Sequence, residues 1–227
     1  MATSCLTMGA MVMASGLAQA RNEVPATASA AGARADGAAT SVEASARSSL
    51  APGAAFPDKV NVGGRAVALN GAGIRYRAVF QVYRAALYTE KPIERYAQLA
   101  GAAEAKRIHM VMLREVNANE LGTMFVRGIL ENMDKAVATR LTPAMLRMSA
   151  LFNEYKRLEP GDAITLDWVP GKGTVVTVKG KVASEPIPEA EFYHALAGIW
   201  IGATPADWKL RDAMLGVSAS TETANRN

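Results

Sequence analysis

The chain has 227 residues, 50% of them hydrophobic, enough for one sizeable core flanked by less structured ends. Its formal net charge is +4, and its 25 Lys and Arg are scattered among 21 Asp and Glu rather than gathered into a stripe with interleaved aromatics, which argues against a nucleic-acid partner. One cysteine, Cys5, rules out an internal disulfide, and with only His109 and His194 beside it there is no basis for a cysteine- or histidine-rich metal site.

Residues 1–20, MATSCLTMGAMVMASGLAQA, carry no charge, run apolar from Leu6 to Leu17, and end on Ala18-Gln19-Ala20, the small-x-small pattern of a signal-peptidase site. The expectation is a signal peptide and a periplasmic or secreted protein, although the usual positive n-region is missing. Cys5 does not follow a small-residue cleavage motif, so it is not read as a lipid anchor. Residues 21–57 are rich in Ala, Ser and Gly and poor in large apolar side chains, a composition that cannot bury enough surface to offset chain entropy. They read as a disordered linker, residues 58–216 as the folded domain, and residues 217–227 as a polar disordered tail. No later stretch approaches the roughly 20 uninterrupted apolar residues of a transmembrane span.

Within the domain, Ala66 to Leu69 and Ile74 to Tyr88 read as extended, and Arg107 to Glu115 alternates as a further strand. Asn117 with Glu120 forms a capping box ahead of Leu121, Met124, Phe125, Gly128, Ile129, Asn132 and Ala136 at helical spacing. A second helix is expected from about Pro143 to Arg157. A hairpin follows, with strands Ile164 to Val169 and Thr174 to Val178 around Pro170-Gly171-Lys172-Gly173, and Lys181 to Ser184 adds one short strand. Glu189 to Trp200 reads as a helix stopping at Gly202. Thr204-Pro205-Ala206-Asp207 then supplies an N-cap, a first-turn proline and a carboxylate for a last helix that stops at Gly216. Strands and helices in runs predict an α+β domain with helices packed on an antiparallel sheet.

Two glycine motifs are set aside. Gly71-Ala72-Gly73 lacks the third glycine and the following helix of a dinucleotide fingerprint, and Gly171-Lys172-Gly173-Thr174 lacks the upstream glycine of a phosphate loop and reads as a hairpin turn. No Gly-x-Ser-x-Gly elbow occurs, and no Ser, His and Asp set is marked by local context as a triad. His109 on a strand and His194 on a helix read as hydrogen-bonded or half-exposed structural histidines. Met110 and Met112 share one strand face, where adaptable thioethers suit either a core or a flexible apolar ligand. Asn132 must brace the fold or point into a cleft. The arginines of LNGAGIRYRAVFQVYRAALY pose the main question, because arginine is rarely buried without a partner.

The segments LNGAGIRYRAVFQVYRAALYTEKP, KRIHMVMLREV with the helix bearing ILENM, PGDAITLDWVPGKGT and FYHALAGIWIGATPADWKLRDAMLG together resemble bacterial chalcone isomerase-like proteins over nearly all of residues 60–216. The resemblance implies an open-faced β-sandwich, a long antiparallel sheet covered by helices, with a ligand cleft between the two. The family includes plant chalcone isomerases, which close a flavanone ring, and plastid relatives that bind fatty acids without catalysis. By motif, the family's arginine falls on Arg75 and its asparagine on Asn132, while the strand threonine falls at Tyr83, the helix tyrosine at Phe125 and the late hydroxyl near Ile199. Losing one donor to a developing oxyanion typically costs about 2.7 to 4 kcal/mol, so efficient chalcone cyclisation is not expected.

A guanidinium at an apolar cleft remains, which suits a carboxylate with a hydrocarbon tail. The expectation is therefore an exported, non-catalytic binder of a fatty acid or similar amphipathic carboxylate, with Arg75, Asn132, Tyr83, Phe125 and Met112 at the site and no cofactor. Tyr83 joins Arg75 only if a turn intervenes, because eight residues of straight strand span roughly 26 Å. Arg77 and Arg84 are expected to snorkel to solvent. The alternatives are an isomerase or intramolecular lyase acting on an unsaturated carbonyl compound, with Arg75 and Asn132 polarising it, or an envelope interaction module. The ligand reading hangs on the Arg75 guanidinium at the mouth of an apolar hollow, and it fails if that group is locked to an internal Asp or Glu or extends into bulk water away from any hollow.

Overall fold

The computed structural model describes residues 55–217, so the expected signal peptide, nearly all of the linker and all but the first residue of the tail lie outside the described residues. Seven strands form one antiparallel sheet in the order β1 (Lys59–Val62), β2 (Arg65–Arg77), β3 (Phe80–Thr89), β4 (Lys106–Met112), β7 (Ala163–Val169), β8 (Gly173–Val178) and β9 (Lys181–Val182). A small second sheet pairs β5 (Val116–Asn117) with β6 (Arg157–Leu158). Helices α1 (Ala118–Glu131), α2 (Lys135–Asn153), α3 (Ala190–Ile201) and α4 (Trp208–Met214) complete the α+β architecture expected from the sequence. No described helix is long and apolar enough to cross a membrane.

The period-2 alternation of the strands builds the main core. Leu87, Ile108, Leu166 and Val176 occupy one row across β3, β4, β7 and β8, and Ala85, Met110, Ile164 and Val178 the next. All eight are buried in the cluster that also holds Phe125, Phe152 and Trp200 from the helices. Residues of α3 from Phe192 onward are buried on nearly every side, as its almost unbroken apolar sequence requires. On the opposite sheet face the Arg107 guanidinium grips Asp167 through two bonds of 2.6 and 2.5 Å, and Tyr88 donates to the Pro57 carbonyl at 3.0 Å.

Several boundaries differ from the sequence reading: α1 ends at Glu131, so Ala136 lies in α2, β2 is continuous from Arg65 to Arg77, and β4 ends at Met112. The single strand expected from Ile74 to Tyr88 is two, because the chain reverses at Ala78-Val79, bringing Arg77 opposite Phe80. Ala78 takes a left-handed φ of 53°, uncommon for a residue with a Cβ, so the turn forms without the glycine or asparagine that would mark it in the sequence. Helix α2 starts at Lys135 and holds Pro143 inside it instead of starting there. An interior proline costs about 3 kcal/mol, and the buried stripe of Leu141, Ala144, Met145, Met148, Leu151 and Phe152 outweighs it. The last helix is capped by Asp207, whose Oδ1 accepts from the backbone N–H of Lys209 and Leu210 at 2.9 and 3.1 Å, and not by Thr204. Thr204 lies too far ahead of Trp208 to cap the helix, and its N–H and carbonyl are both bound by the Asn132 amide.

The glycine pair of β2 explains how α4 reaches the sheet. A Cβ on Gly71 would sit 2.1 Å from the Ala213 carbonyl oxygen, and one on Gly73 would sit 2.9 Å from the Ala213 Cβ. The two glycines let helix backbone lie directly on strand backbone, placing Asp207 beside the end of β2.

Candidate ligand cleft

Between the β2–β3 hairpin and α1 lies a cleft of about 640 Å³. Val82, Leu121, Met124, Phe125 and Ile199 give it apolar walls, and Arg75, Arg77 and Arg114 stand along the hairpin side. Its floor is rigid: the Phe125 ring meets Phe152 and Trp200 edge-on, each at 5.3 Å. The opposite rim carries acids, of which Glu131 is held by Arg127 at 2.7 Å and Glu115 by Arg157 at 3.2 Å, while Glu120 occupies the first turn of α1, where a helix favours negative charge.

The hairpin turn puts Arg75 directly across from Tyr83, so the condition set on Tyr83 is met. Tyr83 is buried, lines the cleft, and accepts a hydrogen bond from the Trp200 indole at 3.1 Å. Burial pushes its phenol up to about 12, against the Trp200 bond and the Arg75 charge, so it stays protonated at any physiological pH. Among the described residues no group accepts its proton.

Arg75 does not lack an internal partner. Its Nη1 donates to the Asp207 carboxylate at 3.4 Å and to the Tyr76 carbonyl, which corrects the expectation of an unpaired guanidinium. The contact is long and single-pronged, and it does not lock the group. Asp207 already accepts from the backbone N–H of Tyr76 at 3.1 Å and from the two N–H groups of its own helix. Burial raises the Asp207 carboxyl, but those donors and Arg75 outweigh it and hold the group below the usual carboxylate range. With its side chain 26% exposed and lining the cleft, Arg75 keeps further donors for a second anion.

Two expected residues sit elsewhere. Asn132 caps the end of α1, its Nδ2 donating to the Gly128 and Thr204 carbonyls and its Oδ1 accepting from the Thr204 N–H, all at 2.9 Å. Every polar atom of that amide is used in joining α1 to the loop after α3, so it braces the fold. Met112 is fully buried in the core and does not line the cleft. Sequence reasoning passed over Arg77 and Arg114. Arg77 is exposed as expected but borders the cleft, with no hydrogen-bond or ion-pair partner among the described residues, and Arg114 lies over the Phe80 ring at 5.2 Å. The only available signal for Arg77 was its β2 position two residues from Arg75, on the same strand face.

The remaining cations and histidines do other work. Arg84 is partly buried, its guanidinium over the Phe56 ring at 4.8 Å. His109 meets that ring edge-on and is pushed down to about 4 by burial and then by Arg107 and Arg84. His194 stacks on Tyr96 at 4.1 Å. Among the described residues no group of three or more His, Cys, Asp or Glu is placed to hold a metal ion.

A family model described as chalcone isomerase-like matches residues 49–216. No curated protein matches the sequence. Among solved structures, the fatty-acid binding protein AtFAP1 of Arabidopsis thaliana aligns with a TM-score of 0.57 and 16% sequence identity, covering 72% of this chain and 92% of that one. At that identity the likeness is one of fold.

Proposed function

The chain belongs to the chalcone isomerase-like family, and from that premise we propose that it is a non-catalytic binder of a fatty acid or a similar amphipathic carboxylate, exported to the periplasm or beyond. One observation carries the reading: an apolar cleft of about 640 Å³ has a buried, protonated phenol and an arginine side by side at one end. That volume falls within the range of roughly 300–1,000 Å³ typical of small-molecule sites. The Tyr83 hydroxyl and the free donors of Arg75 hold the carboxylate, Arg77 and Arg114 add positive potential, and the hydrocarbon lies against Leu121, Phe125 and Ile199. Each methylene removed from water contributes about 0.8 kcal/mol. The fatty-acid binding relative of the same fold supports this choice of ligand class.

Calorimetric titration of delipidated protein with a long-chain fatty acid, its methyl ester and the matching alkane tests the proposal. The acid is expected to bind at least about tenfold tighter than the ester, with the advantage lost in Arg75→Ala, since each factor of ten is about 1.4 kcal/mol. Equal affinity for acid and ester, or no binding of either, overturns it.

A further inference from the structure

The tip of the β2–β3 hairpin carries exposed apolar side chains that ligand binding does not use. Its tip leaves Val79 81% and Phe80 59% exposed, with Tyr76 exposed beside them. Arginines surround these apolar groups: Arg77 sits at the base of the turn, and Arg114 arrives from the end of β4 to lie over Phe80. The stretch from Gly71 to Thr89 contains no Asp or Glu. Asp207, the acid in contact with β2, is held by Arg75 and three backbone N–H groups; of the acids that line the cleft, Glu115 is held by Arg157 and Glu131 by Arg127, while Glu120 lies in the first turn of α1.

We propose that this hairpin tip docks on an anionic lipid surface, with Val79 and Phe80 entering the headgroup region and Arg77 and Arg114 pairing with lipid phosphates. Protruding apolar side chains ringed by arginine are what such a surface rewards, because the rings enter the interface while the guanidinium groups stay at the charged layer. A protein partner fits less well, since a stable interface takes about 800 Å² from each side, more than a few side chains on a convex turn provide. Arg77 also lines the cleft mouth, so docking would turn that mouth toward the bilayer. The proposal does not depend on the identity of any ligand in the cleft.

Flotation of the full chain with phosphatidylcholine vesicles, with or without phosphatidylglycerol, reads the docking directly, and V79W places a fluorophore at the tip. The expected results are binding to the anionic vesicles only, a salt-sensitive association, and a blue shift of the V79W emission when those vesicles are added. The double variants V79S/F80S and R77E/R114E are each expected to lose at least about tenfold in vesicle affinity while keeping the wild-type circular dichroism spectrum. Equal binding to neutral vesicles, an unshifted V79W spectrum, or wild-type binding by folded forms of both double variants overturns the proposal.

Discussion

Replacing Asp207 separates what its two carboxylate oxygens do: Oδ1 caps α4, while Oδ2 accepts from the Tyr76 N–H and neutralises Arg75. At 3.4 Å and an effective dielectric of about 20, the gross attraction to Arg75 is roughly 5 kcal/mol. Both side chains keep contact with water and hold one hydrogen bond between them, so the net value falls to about 0.2–1 kcal/mol. Ser caps a helix about as well as Asp, whereas losing the cap to Ala costs about 0.5–2 kcal/mol. Asp207→Ser is therefore expected to keep the cap and lose only the exposed Tyr76 N–H bond, costing about 1 kcal/mol or less in stability, and to bind a long-chain fatty acid up to about fivefold tighter, because the ligand no longer competes for Arg75. Asp207→Ala should show the same gain in affinity together with the loss of stability. Paired thermal melts and calorimetric titrations measure both quantities. A folded Asp207→Ser protein that binds fatty acid no tighter than wild type refutes the reasoning and removes Arg75 from the head-group site.

Asn132→Ala should cost about 1–3 kcal/mol in urea unfolding, since three backbone bonds lose their partner, while changing fatty-acid affinity far less than Arg75→Ala does. His109 gives a pH dependence. Its folded value of about 4 lies below the ordinary 6.5, so between these the unfolded chain takes up the proton and the folded one does not. The stability is fully present above pH 6.5 and falls as pH drops toward 4, by ~3 kcal/mol in all. His109→Leu should flatten the stability profile between pH 6.5 and 4 by about that amount in chemical denaturation, and a profile as steep as wild type would show that another group takes up the proton.

β7 and β8 were legible because burial chiefly on one face imposes alternation, and β4 because Arg107 and His109 alternate with apolar residues, although six of its seven residues are buried. Arg75 was legible as a cation after a glycine pair, and the order of motifs pointed to the family. The hairpin turn was not, because Ala78-Val79 has none of the residues that favour a left-handed φ and the chain on both sides favours strand. Without that turn Arg75 and Tyr83 could not be brought together from sequence. Asp207 was read for its helix dipole alone; its contact with Arg75 joins positions 132 residues apart, which no local pattern reports. Asn132 shares a helix with Phe125, but its position at the last turn gave it backbone partners in place of the cleft.

The most direct test of the account is a crystal structure of the protein with a long-chain fatty acid. It predicts the carboxylate within hydrogen-bond distance of the Tyr83 hydroxyl and the Arg75 guanidinium, with the hydrocarbon between Leu121, Phe125 and Ile199. A head group bound away from both residues, with Arg75 still paired only to Asp207 and the cleft empty, contradicts it.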